Sequence, residues 1–437
     1  MILDDVRRRA LDVLSAVDEG RFLDEALDRA REGLDPGSRE AARLHFLTTG
    51  SVKRRGRLDR ELDHLLEQPL SKLPPGARAA LRLGLFELRE ADTPPHAAVQ
   101  HAVEGVKERG LGGLSGLVNA VLRRASREGE PELPEDPMER LAAETSHPLW
   151  MLEAVAAEWG REAAGAWAAW NNQPPDVWVR VDRSRREVEE AEERLRELGL
   201  ETVRGPVPGY LRLPAGTVPG SLEGVAEGWL TVQDPSAGLA ALAAVPPGGS
   251  RVLDLCGAPG GKATHLEELT GGETSVTATD SDPERRDLLE ENARRHGGVR
   301  VIPWQDVMAG DELYDAVLVD APCSNLGVLR RRADARWRLD RGEPVRMSGV
   351  QDELLREGAE RTTPGGVLVY STCTILPEEN ERVVDRFMAD HTEFILQTLP
   401  EGVPETFRGR RKGTSYVLPW RHGLDGAFIA CMRRGKK

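Results

Sequence analysis

Asp315-Ala-Val-Leu-Val-Asp-Ala-Pro-Cys-Ser324 and Gly366-Val-Leu-Val-Tyr-Ser-Thr-Cys-Thr374 decide how this chain folds. Each is a short aliphatic run that ends on a polar motif with one cysteine, Cys323 in the first and Cys373 in the second. Apolar runs of this length, bounded by Pro, Gly and Ser, read as buried parallel strands. In open α/β sheets the chemistry collects beyond the carboxyl ends of such strands. Cys323, Cys373 and the carboxylate of Asp320 therefore form a first candidate site.

Upstream the same alternation continues. Arg251–Cys256, Ser275–Asp280 and Val299–Ile302 read as further strands, and Pro283 to Arg295 as a helix capped by Asp282. Repeated β-α units imply a doubly wound parallel, Rossmann-like sheet. Cys256-Gly257-Ala258-Pro259-Gly260-Gly261-Lys262 follows the first of these strands and precedes a helix, so its glycines allow a tight turn and close ligand approach. A nucleotide P-loop fails here, because Cys256 stands at the first glycine position and Ala263 follows Lys262. The dinucleotide fingerprint fails on glycine spacing. An adenosyl-type ligand remains. Asp280, 24 residues after Cys256, ends the second strand, where a carboxylate can accept both ribose hydroxyls. Asp306 follows the third strand, placed for an adenine amino group, and Arg285 joins the same candidate set. Singly each aspartate reads as a turn or cap residue. At successive strand ends they read together as a ligand site.

Residues 1–130 form a separate, all-helical domain: Ala, Leu, Arg and Glu dominate, apolar residues recur at three and four, and Pro74-Pro75 and Pro94-Pro95 mark helix starts. Lys53-Arg-Arg-Gly-Arg57 and Arg123-Arg124 are basic clusters, read on charge alone as a solvated helix face. Glu128–Pro137 is a linker rich in Pro and acid. Residues 138–228 follow as a helical and small α/β connector. Its Trp150, Trp159, Trp167 and Trp170 read as core at helical spacing, with base stacking as the alternative. The sheet domain occupies 229–437.

The chain has 437 residues, 39% hydrophobic and 30% charged, a soluble multidomain composition. No apolar run suits a membrane span and the N-terminus lacks a signal pattern, so a cytoplasmic protein is expected, without membrane contact. The four cysteines lie far apart with no Cys-x-x-Cys pair, so no metal is expected. Net charge is −14, yet residues 1–127 carry 22 Lys+Arg against 20 Asp+Glu, or +2, leaving −16 for the rest. Phosphate binding depends on local patches, so the total excludes nothing.

Asp254–Lys262 resembles motif I of the S-adenosyl-L-methionine-dependent RNA cytosine-C5 methyltransferases, and Asp320-Ala-Pro-Cys-Ser324 and Ser371-Thr-Cys373 resemble that family's two cysteine motifs. Gln233-Asp-Pro-Ser236 and Leu376-Pro-Glu-Glu-Asn380 fit as well. Gly50-Ser-Val-Lys53, Leu81-Arg-Leu-Gly84, Pro95–Val99 and Val118–Arg124 are similar to the NusB-type RNA-binding helical domain. The whole chain resembles the Sun/RsmB group, which methylates small-subunit (16S) ribosomal RNA. Gly257 and Ala263, where alanine and threonine are usual, and Asp425-Gly-Ala-Phe428, where a double-aromatic ending is usual, depart from its pattern without removing a catalytic side chain. The resemblance implies attack on carbon 6 of cytosine by Cys373, product release by Cys323, and contact of Asp320 with the N3/N4 edge. Lys262 would orient the base or Asp320, a plain solvated lysine being the alternative. Local sequence leaves open which thiol attacks.

Arg330, Arg331, Arg332, Arg336 and Trp337 follow Cys323 and combine cations with an aromatic, as single-strand binders do. Phe407–Lys412 and Arg433–Lys437 are further basic clusters. A tRNA substrate and a non-catalytic assembly factor are the alternatives; a DNA enzyme is disfavoured by Thr372-Cys373 and the RNA-type front end. No protein partner is evident.

Overall fold

The computed structural model of the chain describes residues 3–246 and 249–436, so Lys437 of the basic tail lies outside the described residues. The chain divides into two compact units, one of residues 1–173 with 329–339, the other of residues 174–328 with 340–437.

The first unit is helical and is built around Pro75–Glu90. Ala77, Ala79, Ala80, Leu81, Leu83, Leu85 and Phe86 are all buried, and a helix that is apolar nearly all round belongs in a core. Asp5–Asp18, Arg39–Lys53, Arg55–Leu65, Pro95–Glu108 and Ser115–Ala125 surround it. Pro75 and Pro95 stand in the first turns, as expected, and Asp4 and Ser38 cap the first and third helices by accepting from Arg7 N and Ala41 N. Gly50 is required by contact: a Cβ there would lie 2.3 Å from the Phe86 ring.

Charge is also buried in this core. Arg82 donates to both oxygens of Asp59 at 2.6 and 2.9 Å and to Asp18 at 2.9 Å, while Arg7 donates to Glu87 at 2.6 Å. Pro137–Thr145, Leu149–Trp159 and Arg161–Asn172 group with this unit, whereas the sequence placed them with the connector. Their contacts explain it: Pro137–Thr145 packs on Arg55–Leu65, and Ser146 Oγ accepts from Gly56 N at 2.9 Å. Trp167 is fully buried, as the core reading expected.

The second unit holds two sheets. The smaller is antiparallel, in the order Val203–Arg204, Tyr210–Leu213, Val177–Val181, Leu230–Val232, with the helix Val188–Glu197 among its elements. The larger runs Phe394–Leu396, Ala427–Arg434, Thr362–Thr372, Tyr314–Asp320, Arg251–Asp254, Ser275–Ala278, Val299–Val301, with Thr414–Val417 also paired to Ala427–Arg434. The last five strands in this order are mutually parallel. Antiparallel pairing of Ala427–Arg434 with Thr362–Thr372 extends the expected parallel sheet into a mixed one. The chain proceeds from Arg251–Asp254 to one side, then returns to add Tyr314–Asp320 on the other. That reversal makes the adjacent ends of these two strands the crevice of the sheet.

Arg180 joins the two sheets. It is fully buried, donates to both oxygens of Glu268 at 2.7 and 2.6 Å, and reaches Gly261 O at 2.9 Å and Thr264 Oγ1 at 3.1 Å. A strand of the small sheet thus bonds the first turn of the helix that follows the glycine loop.

Replacing Arg82 by Ala removes a buried cation from Asp18 and Asp59, which keep Arg55 and Arg78, so the loss is about 1–3 kcal/mol. Urea unfolding of the full chain should show a loss of that order, and a loss below about 1 kcal/mol would mean the pair contributes no more than a surface ion pair.

Candidate active site

The first strand of the crevice ends at Asp254, which is fully buried and has no hydrogen-bond partner for either carboxylate oxygen among the described residues. Burial, followed by repulsion from Asp320, pushes its carboxyl up to about 7. The loop then turns through Gly257 and Gly260 into the helix Gly261–Thr270. Gly260 has φ 109°, open to glycine at little cost, and a Cβ on Gly257 would crowd Ala278 at 3.2 Å.

Asp280, beyond the second strand, is buried and accepts from Ala258 N at 3.3 Å and Asp282 N at 3.1 Å. Arg285 lies 3.4 Å from it and donates to Ala258 O at 3.0 Å. Each Asp280 oxygen keeps an acceptor site, since a carboxylate offers about four. Asp306 sits exposed in the first turn of the short helix Trp304–Ala309. A buried carboxylate with orphaned oxygens beside a glycine turn fits a ligand that carries both positive charge and hydroxyls.

Lys262 reaches across the crevice and places Nζ 2.5 Å from Asp320 Oδ2. Burial, the largest single influence, disfavours its ammonium, but the charge and hydrogen bond of Asp320, with the neighbouring Asp254 and Cys373, together hold Lys262 above its ordinary value. The cation is therefore retained.

The two cysteines of the opening motifs meet. Cys323 Sγ and Cys373 Sγ are 3.2 Å apart, and Cys373 Sγ lies 3.2 Å from Asn325 Oδ1. The hydrogen bond to Cys373, then burial, drives the Cys323 thiol well above its usual value. Cys373 is the more exposed. Burial and nearby carboxylates also raise Cys256, while Cys431 is buried in the last strand and raised to about 11. Neither of these thiols is poised to react.

Several functional candidates received no role from the sequence, although Glu379, Asn380 and Gly426 lie in stretches that it singled out. Asn325 has φ 59°, a conformation asparagine tolerates best among non-glycine residues, and its amide donates to Cys323 O at 2.8 Å. Gly327 and Gly426 touch backbone to backbone beneath the Cys373 carbonyl: Gly327 N donates to Cys373 O at 3.0 Å and Gly426 N to Gly327 O at 2.8 Å. A Cβ on Gly327 would lie 2.5 Å from that carbonyl. Glu379 and Asn380 are wholly buried behind the two cysteine loops. A pair of neighbouring acids after a proline carries no local sign of burial.

The basic segment after Cys323 departs from expectation. It belongs to the first unit, and Arg336 is fully buried there, donating to Asn171 O and Asn172 Oδ1 at 2.8 Å each. Arg330 is buried with its guanidinium 4.2 Å from the Trp170 ring, and Trp337 Nε1 donates to Val52 O at 2.7 Å. These three are structural contacts rather than an open platform for bases. Arg331 is half-buried and Arg332 exposed. In the front cluster, Arg54, Arg55 and Arg57 face Glu90, Asp18 and Glu90 respectively. A groove of about 580 Å³ between Pro95–Glu108 and Ser115–Ala125 is lined by His96, Gln100, Asn119, Arg123 and Arg127 among others. Asn119 is half-buried there.

Asp182, Glu268 and His296 bring ligand atoms within 4.8 Å of one another, but Arg185 and Arg180 already neutralise the two carboxylates. Among the described residues no helix is long and apolar enough to cross a membrane.

A glycine turn and acid at a sheet crevice, beside a thiol pair and a Lys–Asp ion pair, define a Rossmann-like methyltransferase site. Comparison with known proteins agrees. The 16S rRNA methyltransferase RsmB/F family matches residues 241–433, the NusB family residues 4–127, and an RsmF/B-like ferredoxin-like domain residues 147–217. The probable ribosomal RNA small subunit methyltransferase B of Synechocystis is 34% identical, covering 99% of this chain and 98% of its own. The corresponding Bacillus subtilis protein is 35% identical over 90% of each. The crystal structure of PH0851 superposes with a TM-score of 0.87 at 28% identity, covering 99% of this chain and all of its own. The chain belongs to the ribosomal RNA small subunit methyltransferase B family. It is an RNA methyltransferase dependent on S-adenosyl-L-methionine.

Asp254 gives a pH test of the cofactor crevice. Its folded-state value of about 7 lies above the unfolded 3.8, so its contribution to stability is present at low pH and lost as pH rises towards 7. Asp254→Asn removes that loss. The variant should gain on the ligand-free parent by on the order of 2 kcal/mol between pH 5 and pH 8 in urea unfolding. A constant difference across that range would contradict a neutral buried carboxyl.

Proposed function

We propose that this enzyme methylates carbon 5 of a cytosine in small-subunit (16S) ribosomal RNA through a covalent bond between Cys373 and carbon 6. The observation that carries this reading is the 3.2 Å approach of Cys323 to Cys373 beside the Lys262–Asp320 ion pair.

Carbon 5 of cytosine is a poor nucleophile. Cys373 releases its proton to solvent and adds to carbon 6, which makes the ring electron-rich and divides one hard step into two easier ones. Cys323 S–H, donating to Cys373, stabilises the thiolate before attack. Asp320 accepts from the exocyclic amine, and the Lys262 ammonium places positive charge beside the ring as charge develops there. Asp280, Arg285 and the Cys256–Lys262 loop hold the cofactor, with Asp306 at the mouth of the crevice. S-adenosyl-L-methionine, bound there, would supply the methyl group that carbon 5 receives.

Release follows from the same pair. Once Cys373 is a thioether, its charge no longer opposes ionisation of Cys323, which loses its proton to solvent. The Cys323 thiolate then takes the carbon 5 proton, the bond between carbon 6 and sulfur breaks, and the electron pair returns to Cys373. The target base must leave its stack to reach this crevice. Arg331, Arg332 and the groove lined by Arg123 and Arg127 are the cationic surfaces proposed to guide the RNA.

With small-subunit rRNA from an unmethylated strain, Cys373→Ala should lose methyl transfer by a factor of about 10³ or more. Cys323→Ala should instead retain a protein–RNA adduct on a denaturing gel. Substantial turnover by the first variant would reassign the nucleophile.

A further inference from the structure

Glu379 is fully buried, yet it carries the connection between the two cysteine loops. Its Oε2 accepts from Ser324 N at 2.8 Å and from Gln351 Nε2 at 3.1 Å. Its Oε1 accepts from Ser324 Oγ, which meets Thr374 Oγ1 at 2.9 Å. Ser324 follows Cys323 and Thr374 follows Cys373, so a single carboxylate ties both motifs together. The same Gln351 also donates to Pro322 O at 2.9 Å, immediately before Cys323. On the other side Tyr370 OH donates to the Glu379 carbonyl at 2.5 Å, which fixes Glu379 to the strand that delivers Cys373. Neither sulfur is among its hydrogen-bond partners.

Burying a carboxyl is unfavourable unless hydrogen bonds compensate, and here they do so only in part. Burial pushes Glu379 up to about 7, against the pull of Ser324, Gln351 and Thr374. An apolar residue would fill this space without that cost. Three donors converging on one buried carboxylate beside two thiols mark a constraint on geometry, since partly compensated polar networks persist where they specify a single arrangement.

We infer that Glu379 is a positioning residue for product release: by clamping Ser324 it holds Cys323 against Cys373, so that Cys323 can collect the carbon 5 proton. This rests on the covalent mechanism proposed above. It separates two steps. Attack needs Cys373, whose strand is held by the sheet, whereas release needs Cys323, whose loop is held by Glu379. Loss of the clamp should therefore stall the enzyme after methyl transfer rather than before it.

Glu379→Gln, which keeps the shape and removes the charge, and Ser324→Ala, which deletes only the hydroxyl, test this alongside Cys323→Ala. Each is assayed as the full chain with S-adenosyl-L-methionine and unmethylated small-subunit rRNA. Turnover should fall about ten-fold or more. KM for RNA and calorimetric cofactor affinity should stay within about two-fold, and a covalent protein–RNA band should accumulate although Cys323 is present. A general structural role would lower adduct and turnover together. An adduct with Cys323→Ala but none with either clamp variant overturns the role of Glu379 alone. No adduct with any of the three overturns the covalent mechanism and the inference with it.

Discussion

The ion pair between Lys262 and Asp320 is the contact on which this site depends. Its partners are 58 residues apart in sequence but close two neighbouring strand ends. The sheet makes them neighbours, because strand order reverses between Arg251–Asp254 and Tyr314–Asp320. Helix starts, strand ends and loops therefore converge on one crevice, with Asp280 on one side and the cysteine loops on the other. Burial alone would lower the Lys262 value; with Asp320 the cation is kept where a developing negative charge can use it.

Around that pair the structure accepts several locally unfavourable groups. Asp254 is buried with no side-chain hydrogen bond among the described residues, Glu379 is a half-compensated acid, and Asn325 sits at positive φ. Such departures cluster at functional sites, where geometry matters more than local stability. The surrounding apolar strands, Val252–Leu253, Ala316–Val319 and Leu368–Tyr370, are fully buried and make the departures tolerable. Arg180 adds a second tie, from the small sheet to Gly261 and Thr264, so the ferredoxin-like segment supports the cofactor loop directly.

What was legible in the sequence was local. Aliphatic runs before Asp320 and Cys373 gave their strands, and the glycine turn gave the cofactor loop, because short apolar runs and glycines act within a few residues. The meeting of Cys323 with Cys373 followed from adjacent parallel strands. What was not legible depends on distant partners. Arg336 looks like an exposed cation until Asn171 and Asn172 are placed against it. Glu379 looks like a solvated acid until Ser324 and Gln351 converge on it. The helices of 137–172 could be recognised as helices, but not assigned to the first unit, since their packing partners lie in Arg55–Leu65 and its neighbours.

The central claim is that this crevice delivers a methyl group to carbon 5 of cytosine in small-subunit rRNA. The direct measurement is mass spectrometry of nucleosides from unmethylated small-subunit rRNA after reaction with cofactor carrying a deuterated methyl group. The account predicts label in 5-methylcytidine at a single site. Label in an N4-methyl or 2′-O-methyl nucleoside, or in another base, would contradict it.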